Sequence, residues 1–147
     1  MRIRAARRDD FETVRLLLTE LGRPDAAGDA ESRAVWDEQV VDPNAHHIVA
    51  EDDSGVVAFC SLHFRPRLNW PTPEAWIPDL VVSERARRLG IGLALMEEAQ
   101  RRARERGCHA LALESDYRRA EAHHLYRTFK MRDGGKQFRK DLRSRAT

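Results

Sequence analysis

The chain of 147 residues is poor in the features that mark exported, membrane-spanning and metal-binding proteins. It has two cysteines, and neither Cys60 nor Cys108 has a second Cys or a His at metal-site spacing, so we interpret both as buried small hydrophobic residues. No apolar run approaches the roughly 20 residues that cross a bilayer. The amino-terminal residues lack the apolar stretch of a signal peptide. We therefore expect a cytoplasmic protein with no membrane partner and no metal.

Lysine is also scarce, and arginine supplies nearly all of the 26 basic residues, which 24 acidic residues almost balance to a net charge of +2. The planar fork of arginine can bond two phosphate oxygens at once. A long nucleic acid would need a broad basic face. Local arginine clusters on a weakly basic chain instead favour a small polyanionic ligand, and we expect no nucleic-acid partner.

The length fits one domain, which we place over residues 1–147, with a basic tail at 143–147 that we expect to be disordered. Apolar periodicity and turn residues predict the element order. It runs as a strand at 2–5, a helix from Asp9, a helix at 31–41, a hairpin from His46 to Phe64, a strand at 74–82, a helix from about Gly90 to Arg106, the strand "HALALES", a helix carrying Tyr126, and a last strand "KQFRKDL". This order predicts an α/β fold around one mixed sheet.

Two helix ends carry recognisable signals. Asp9 with Glu12 three residues later matches a capping box, so we predict that the first helix begins there. Gly107 follows the apolar stripe of the third helix and is predicted to cap its carboxyl end.

The segment "SERARRLGIGLALMEEA" places three arginines and two glycines directly before an amphipathic helix. A strand ending at Val82, a tight turn and a helix start bring unpaired backbone N–H groups together. Glycines would let an anion approach the main chain, and the helix dipole would favour it. The spacing matches neither common phosphate motif. From the residues alone, phosphate binding and a plain helix start with surface arginines fit equally well.

Arg87, Gly90 and Gly92 resemble the Gln/Arg-x-x-Gly-x-Gly/Ala signature of the GNAT N-acetyltransferases, and they follow a "DLVV" strand as in that family. The resemblance extends from "IRAARRDDFETVRLLLTELG" to "FRKDL". It implies a mixed, mostly antiparallel sheet with helices on both faces and a splayed central pair of strands. It also implies acetyl-CoA as cosubstrate. The residues that would bind it are Leu80, Val81, Val82, Arg87, Arg88, Leu89, Gly90, Ile91 and Gly92.

The resemblance implies further roles along the same strand. Leu80 to Val82 would pair with the pantetheine arm, and a backbone N–H near Val81 would polarise the thioester carbonyl. Pro78 agrees with a bulged strand, because a proline in a sheet sits chiefly at an edge or a bulge.

Tyr126 is the candidate general acid. A phenol with a pKa near 10 stays protonated at neutral pH and can donate to a departing thiolate, and the resemblance implies that role. The alternative is that Tyr126 only fills the apolar face of its helix.

The general base is open. Pro78 occupies the place of the glutamate that many family members carry, so Asp79 is the nearest acid and Glu74 a second candidate. Asp79 could equally be a structural acid. His63 could line the acceptor site or be a satisfied sheet histidine, and Trp70 and Trp76 could stack on a substrate or cover the sheet end.

The expected function is acetyl transfer from acetyl-CoA directly to a primary amine of a small molecule or peptide. Direct transfer is favoured because no cysteine lies at a nucleophile position. The alternative is a non-catalytic acyl-CoA-binding regulatory module of the same fold, motivated by the missing glutamate and by Arg119 where relatives carry asparagine. The acceptor and the oligomeric state stay open, with a homodimer one of the possibilities.

Overall fold

Two long antiparallel strands, β2 (Ala45–Asp52) and β3 (Gly55–Arg65), form the centre of the sheet in the computed structural model. The structure describes residues 1–21, 30–113, 120–132, 134–135 and 138–142. A tight turn at Asp53 and Ser54 joins the two strands and places Asp52 opposite Gly55. β1 (Arg2–Ala5) adds to the outer edge of β2, so the first strand lies where the sequence predicts it.

The predicted strand at 74–82 is divided into β4 (Glu74–Ile77) and β5 (Leu80–Val82), both antiparallel to β3. Trp76 faces His63 and Leu80 faces Cys60, so the register shifts by one residue between the two strands. The shift is a bulge, and it falls at Pro78, which has no N–H to give to the ladder.

β6 (Ala110–Leu113) runs parallel to β4 and pairs with it along its whole length. Parallel neighbours need a crossover, and α3 (Ile91–Glu105) supplies it. Within the described residues, β6 pairs with β4 but not with β5. The sheet therefore opens between β5 and β6. The expected mixed, mostly antiparallel sheet with a splayed central pair is confirmed.

Helices cover both faces of the sheet. α1 (Phe11–Glu20) and α2 (Ala30–Gln39) bury Phe11, Val14, Leu17 and Trp36 against Val49, Phe59 and Val81 on one face. On the other face α3 packs Ile91, Leu95, Ala99 and Ala103 against alternate residues of β2 and β3. Each strand thus sends successive side chains to different helices, as the two-residue period of a strand requires.

The predicted capping box at the first helix is wrong in its residues. A short 3₁₀ turn at Arg8–Asp10 precedes α1, and Asp10 accepts a hydrogen bond from the Arg7 N–H at 2.7 Å. Arg4 binds the same carboxylate through both terminal nitrogens, at 2.8 and 3.0 Å. Glu12 instead pairs with Arg15 on the helix surface. Asp10 is the better placed acid because it also neutralises Arg4.

The carboxyl-terminal unit is compact in itself, and it spans Glu114–Thr147, separate from the unit Met1–Leu113. It contains α4 (Ala120–Thr128), which ends in a left-handed turn at Lys130 with φ +63°. The Met131 N–H donates to the Tyr126 carbonyl at 3.0 Å and closes this turn.

The predicted last strand is wrong over the part the structure describes. Residues 138–142 have no strand structure, and the side chains of Phe138 and Leu142 are exposed. A strand here would bury only these two apolar residues, which gives little compensation for the entropy of ordering the backbone. Lys136, Gln137 and the expected disordered tail at 143–147 lie outside the described residues.

Candidate functional site

The segment between β5 and α3 has two left-handed residues in close succession. Arg88 has φ +68°, and Gly90, which precedes the first helical residue, has φ +78°. A Cβ built on Gly90 would meet no atom within 4 Å. The glycine is therefore required by the backbone conformation and not by lack of space.

The turn leaves a run of backbone donors without protein acceptors. In the part of the chain that the structure describes, the N–H groups of residues 88 to 93 donate to no protein atom, and the first helical bond runs from the Ala94 N–H to the Gly90 carbonyl at 3.1 Å. The positive end of the α3 dipole lies at the same place. Such a group of donors can hold the oxygens of a phosphate or diphosphate.

The arginines of the segment play unequal parts. The Arg87 Nε donates to the Val82 carbonyl at 3.2 Å, and Arg85 donates to the Ser54 hydroxyl. Both side chains are therefore tied back to the sheet end. Leu89 and Arg88 are exposed at the tip of the turn.

The hydrogen-bond ladder between β5 and β3 determines which backbone N–H groups of β5 point away from β3. The Ser61 N–H donates to the Asp79 carbonyl at 2.9 Å, and the Ser83 N–H donates to the Val57 carbonyl at 2.8 Å. Alternation between these bonds turns Val81 towards β3. The N–H groups of Leu80 and Val82 consequently point to the opposite edge. The candidates for the expected polarising N–H near Val81 are therefore the N–H groups of Leu80 and Val82.

A cavity of about 420 Å³ lies on the face covered by α1 and α2. Its floor is formed by side chains of β2, β3 and β4, and it reaches the bulge that separates β4 from β5. The lining residues are Phe11, Val14, Arg15, Leu18, Ser32, Val35, Trp36, Gln39, His47, Phe59, Ser61, His63, Trp76, Pro78 and Asp79.

Two histidines of the cavity are held in the neutral form. Burial, with a smaller contribution from the charge of His63, lowers the pKa of His47 to about 4. The His47 Nε2 lies 2.7 Å from the Gln39 side-chain oxygen. Burial also lowers the pKa of His63. Because their pKa values are lowered, both imidazoles stay neutral at neutral pH, where they can form hydrogen bonds to a ligand but are weak proton acceptors.

The structure separates the two acids proposed as base. Asp79 lines the cavity, and its backbone N–H donates to the Ser61 hydroxyl at 3.1 Å. Glu74 accepts hydrogen bonds from Arg65 at 2.6 Å and from Arg67 at 3.2 Å, and it is not among the lining residues. Glu74 is therefore rejected as a candidate base, because two arginines already hold its carboxylate.

The other candidates divide in the same way. Trp76 and His63 line the cavity. Trp70 does not line it, and its ring stacks on that of His109 with the ring centres 4.4 Å apart. Burial raises the pKa of the Cys60 thiol to about 12, which leaves it protonated and unreactive.

Tyr126 is half-buried on α4, in the carboxyl-terminal unit.

Sequence reasoning missed the part that β2 and the two amino-terminal helices play in the cavity. His47 is 6% exposed, and it lies in the cavity wall, where it also stacks on Trp36. Phe59, Ser61 and His63 alternate on the face of β3 that meets α1 and α2. Polar residues at alternate positions of a strand otherwise facing a core are the signal that could have found it.

Among the described residues, no helix has both the length and the apolar character needed to cross a membrane. In the same residues, no three His, Cys, Asp or Glu side chains are grouped so that they could hold a metal ion.

Comparison with known proteins gives consistent matches. A profile described as the acetyltransferase (GNAT) family matches residues 7–131. The aminoalkylphosphonate N-acetyltransferase of Salmonella typhimurium is 30% identical over 135 residues, which cover 92% of this chain and 84% of that protein.

Solved structures match over nearly the full length. The crystal structure of a transcriptional regulator from Bacillus halodurans has a TM-score of 0.89 and 27% identity, and the match covers 96% of this chain and 99% of that one. An acetyltransferase of Trypanosoma brucei has a TM-score of 0.81 and 23% identity, with 96% and 99% covered. The second likeness is one of fold.

Proposed function

The chain belongs to the acetyltransferase (GNAT) family, and on that premise we propose that it transfers an acetyl group from acetyl-CoA directly to a primary amine of a small molecule or peptide. Acetyl-CoA supplies the acetyl thioester. The observation that carries the proposal is the run of N–H donors at residues 88 to 93. It follows a strand whose Leu80 and Val82 N–H groups face an edge without a described neighbour.

The turn is suited to the diphosphate of coenzyme A. Hydrogen bonds to a charged group contribute roughly 1.5–3 kcal/mol each, whereas an exposed arginine pairing contributes about 1 kcal/mol or less. The N–H groups of residues 88 to 93 therefore provide most of the affinity, and the exposed side chain of Arg88 adds a local positive charge. Leu80 and Val82 offer backbone groups to the pantetheine arm and to the thioester oxygen.

The acceptor site is the cavity on the α1 and α2 face, because it reaches the bulge just before Leu80. The acceptor nitrogen attacks the thioester carbon, and a C–N bond forms while the C–S bond breaks. Asp79 takes the proton that the nitrogen loses, directly or through His63. Tyr126 gives a proton to the leaving sulfur, so the products are an acetamide and a free thiol.

A small-molecule amine is favoured over a peptide. The Salmonella relative is named for a small aminoalkylphosphonate, and the cavity of about 420 Å³ is at the lower end of small-molecule sites.

Two measurements on the full chain test the proposal. Calorimetric titration with coenzyme A measures binding, and release of the CoA thiol from acetyl-CoA measures transfer to a panel of primary amines. We expect saturable binding and an amine-dependent release of thiol, with the acetylated amine identified by mass. Binding without transfer to any amine would favour the regulatory module, and the absence of binding would overturn both.

A further inference from the structure

The wall of the cavity is a connected series of aromatic rings. Phe11 lies 6.1 Å from Trp36, Trp36 stacks on His47 at 5.2 Å, and His47 lies 5.8 Å from His63. His63 in turn lies 5.6 Å from Trp76. Each of these rings lines the cavity, which is therefore shaped to receive a flat apolar group.

The ring series comes from five separate elements. α1, α2, β2, β3 and β4 each contribute at least one ring. Trp36 is fixed further by its indole N–H, which donates to the Arg8 carbonyl at 3.0 Å. The rings are held in place before any ligand arrives, so little ordering entropy is lost when one binds.

The charges of the cavity favour a cation and not a dianion. Asp79 is its carboxylate and Arg15 its guanidinium, and both imidazoles are held neutral by burial. Arg15 already binds Glu12 through two nitrogens, at 2.8 and 3.2 Å. Among the described residues that line the cavity, a phosphonate would therefore find one guanidinium, which Glu12 already binds. An ammonium group would be attracted by the faces of the electron-rich rings, and Asp79 lies in the same wall.

We propose that the acceptor is an arylalkylamine, whose amine lies at the Asp79 end and whose ring lies against Trp36, Phe59 and Trp76. The inference rests on the proposed function and deepens it. The bulge at Pro78 places Asp79 directly before Leu80, so the amine lies beside the strand that presents the thioester. The ammonium first releases one proton to water and becomes the neutral amine. Its nitrogen then bonds to the acetyl carbon and loses a second proton as the C–S bond breaks, and the sulfur takes one proton and leaves as a thiol.

A matched pair of substrates tests the inference. 2-Phenylethylamine and 2-aminoethylphosphonate share a two-carbon primary amine and differ only in the group at the far end, and ethylamine lacks that group. We expect kcat/KM for 2-phenylethylamine to exceed the values for both others at least tenfold. Equal or faster acetylation of either comparison amine would overturn the inference.

A matched pair of variants locates the ring. Val35 lines the cavity and is 51% exposed, whereas Leu16 on α1 is 58% exposed and does not line it. Val35→Arg should lower kcat/KM for 2-phenylethylamine about tenfold and raise it for the phosphonate. Leu16→Arg adds the same charge and should leave both values within twofold. Equal effects of the two variants would count against this cavity.

Calorimetry separates failure of the inference from failure of the proposed function. 2-Phenylethylamine is titrated into the protein saturated with coenzyme A, where no transfer takes place. Binding that Val35→Arg weakens supports the arylalkylamine site even if turnover with acetyl-CoA is absent. Rapid transfer to the phosphonate, with no heat from 2-phenylethylamine, leaves the acetyltransferase standing and removes the arylalkylamine.

Discussion

At the scale of single residues, Tyr126 is the side chain whose chemistry the proposed mechanism uses most directly. The phenol can give a proton to sulfur, whereas a phenyl ring of the same shape cannot. Tyr126→Phe should therefore lower kcat by about a hundredfold, within the range for loss of a general acid. The coenzyme A dissociation constant, measured by calorimetry, should change less than twofold. An unchanged kcat would assign Tyr126 to packing.

We expect His47 to make the stability of the protein depend on pH. Its pKa in the folded state is about 4, against an ordinary value of 6.5, so the folded state favours neutral imidazole. The unfolded state binds more protons between these values. The free energy of unfolding should be fully maintained above pH 6.5 and should fall by about 3 kcal/mol as the pH drops to 4.

The measurement is urea unfolding at several pH values for the wild type and His47→Gln. The variant loses the stacking on Trp36 and is expected to be less stable at pH 7.5. Its stability should nevertheless fall less steeply between pH 6.5 and 4. Parallel curves for the two proteins would show that another group causes the acid sensitivity.

At the scale of elements, α3 has a left-handed glycine at each end, and the two serve as controls for each other. Gly90 has φ +78° and Gly107 has φ +79°, and a Cβ on either would meet no atom within 4 Å. Alanine at either site should cost about 1–2 kcal/mol of backbone strain.

The effects on ligand binding should differ between the two ends. Gly90→Ala should weaken coenzyme A binding about tenfold, because relief of the strain displaces the N–H groups of residues 88 to 93. Gly107→Ala should lower the free energy of unfolding by about as much as Gly90→Ala does, but it should leave coenzyme A binding unchanged. Calorimetry and thermal unfolding of both variants make the test, and equal losses of affinity would place the diphosphate elsewhere.

Elements with local signals were predictable from the sequence. The strand at 2–5, the hairpin of β2 and β3 and the Gly107 cap lie where alternation and turn residues place them. The division at Pro78 was anticipated as a bulge, but its register depends on pairing with β3, which no local pattern encodes. The prediction of the final strand was wrong for a different reason, since "FRKDL" has only two apolar side chains and Lys140 would lie between them on the same face.

The part of the candidate site that consists of consecutive residues was predictable from the sequence. The part that is built from several separate elements was not. The turn at 87–92 is one segment, so its glycines and helix start mark it as a candidate, and the family resemblance favours phosphate binding over a plain helix start. The cavity draws on α1, α2 and three strands. Phe11 and His47 are brought together only by the packing of α1 and α2 on the sheet. Glu74 is excluded as a candidate base by its ion pairs with Arg65 and Arg67.

At the scale of the whole molecule, charge is nearly balanced, with 26 basic against 24 acidic residues. Many of the arginines are held in ion pairs with neighbouring carboxylates, such as Arg101 and Arg102 with Glu98. A surface of this kind produces little long-range attraction for an anion. Affinity for coenzyme A therefore has to come from the local donors of the turn.

Binding at that turn should stabilise the native protein as a whole, because the unfolded chain does not present the N–H groups together. A ligand at a hundred times its dissociation constant adds about 2.7 kcal/mol, which for a chain of this size raises the melting temperature by roughly 5–10 °C. Coenzyme A should produce this shift in thermal unfolding. Gly90→Ala, whose affinity we expect to be about tenfold weaker, should show about half of this shift at the same coenzyme A concentration, and Gly107→Ala should show the full one. If coenzyme A leaves the wild-type melting temperature unchanged at saturating concentration, the turn does not bind the diphosphate.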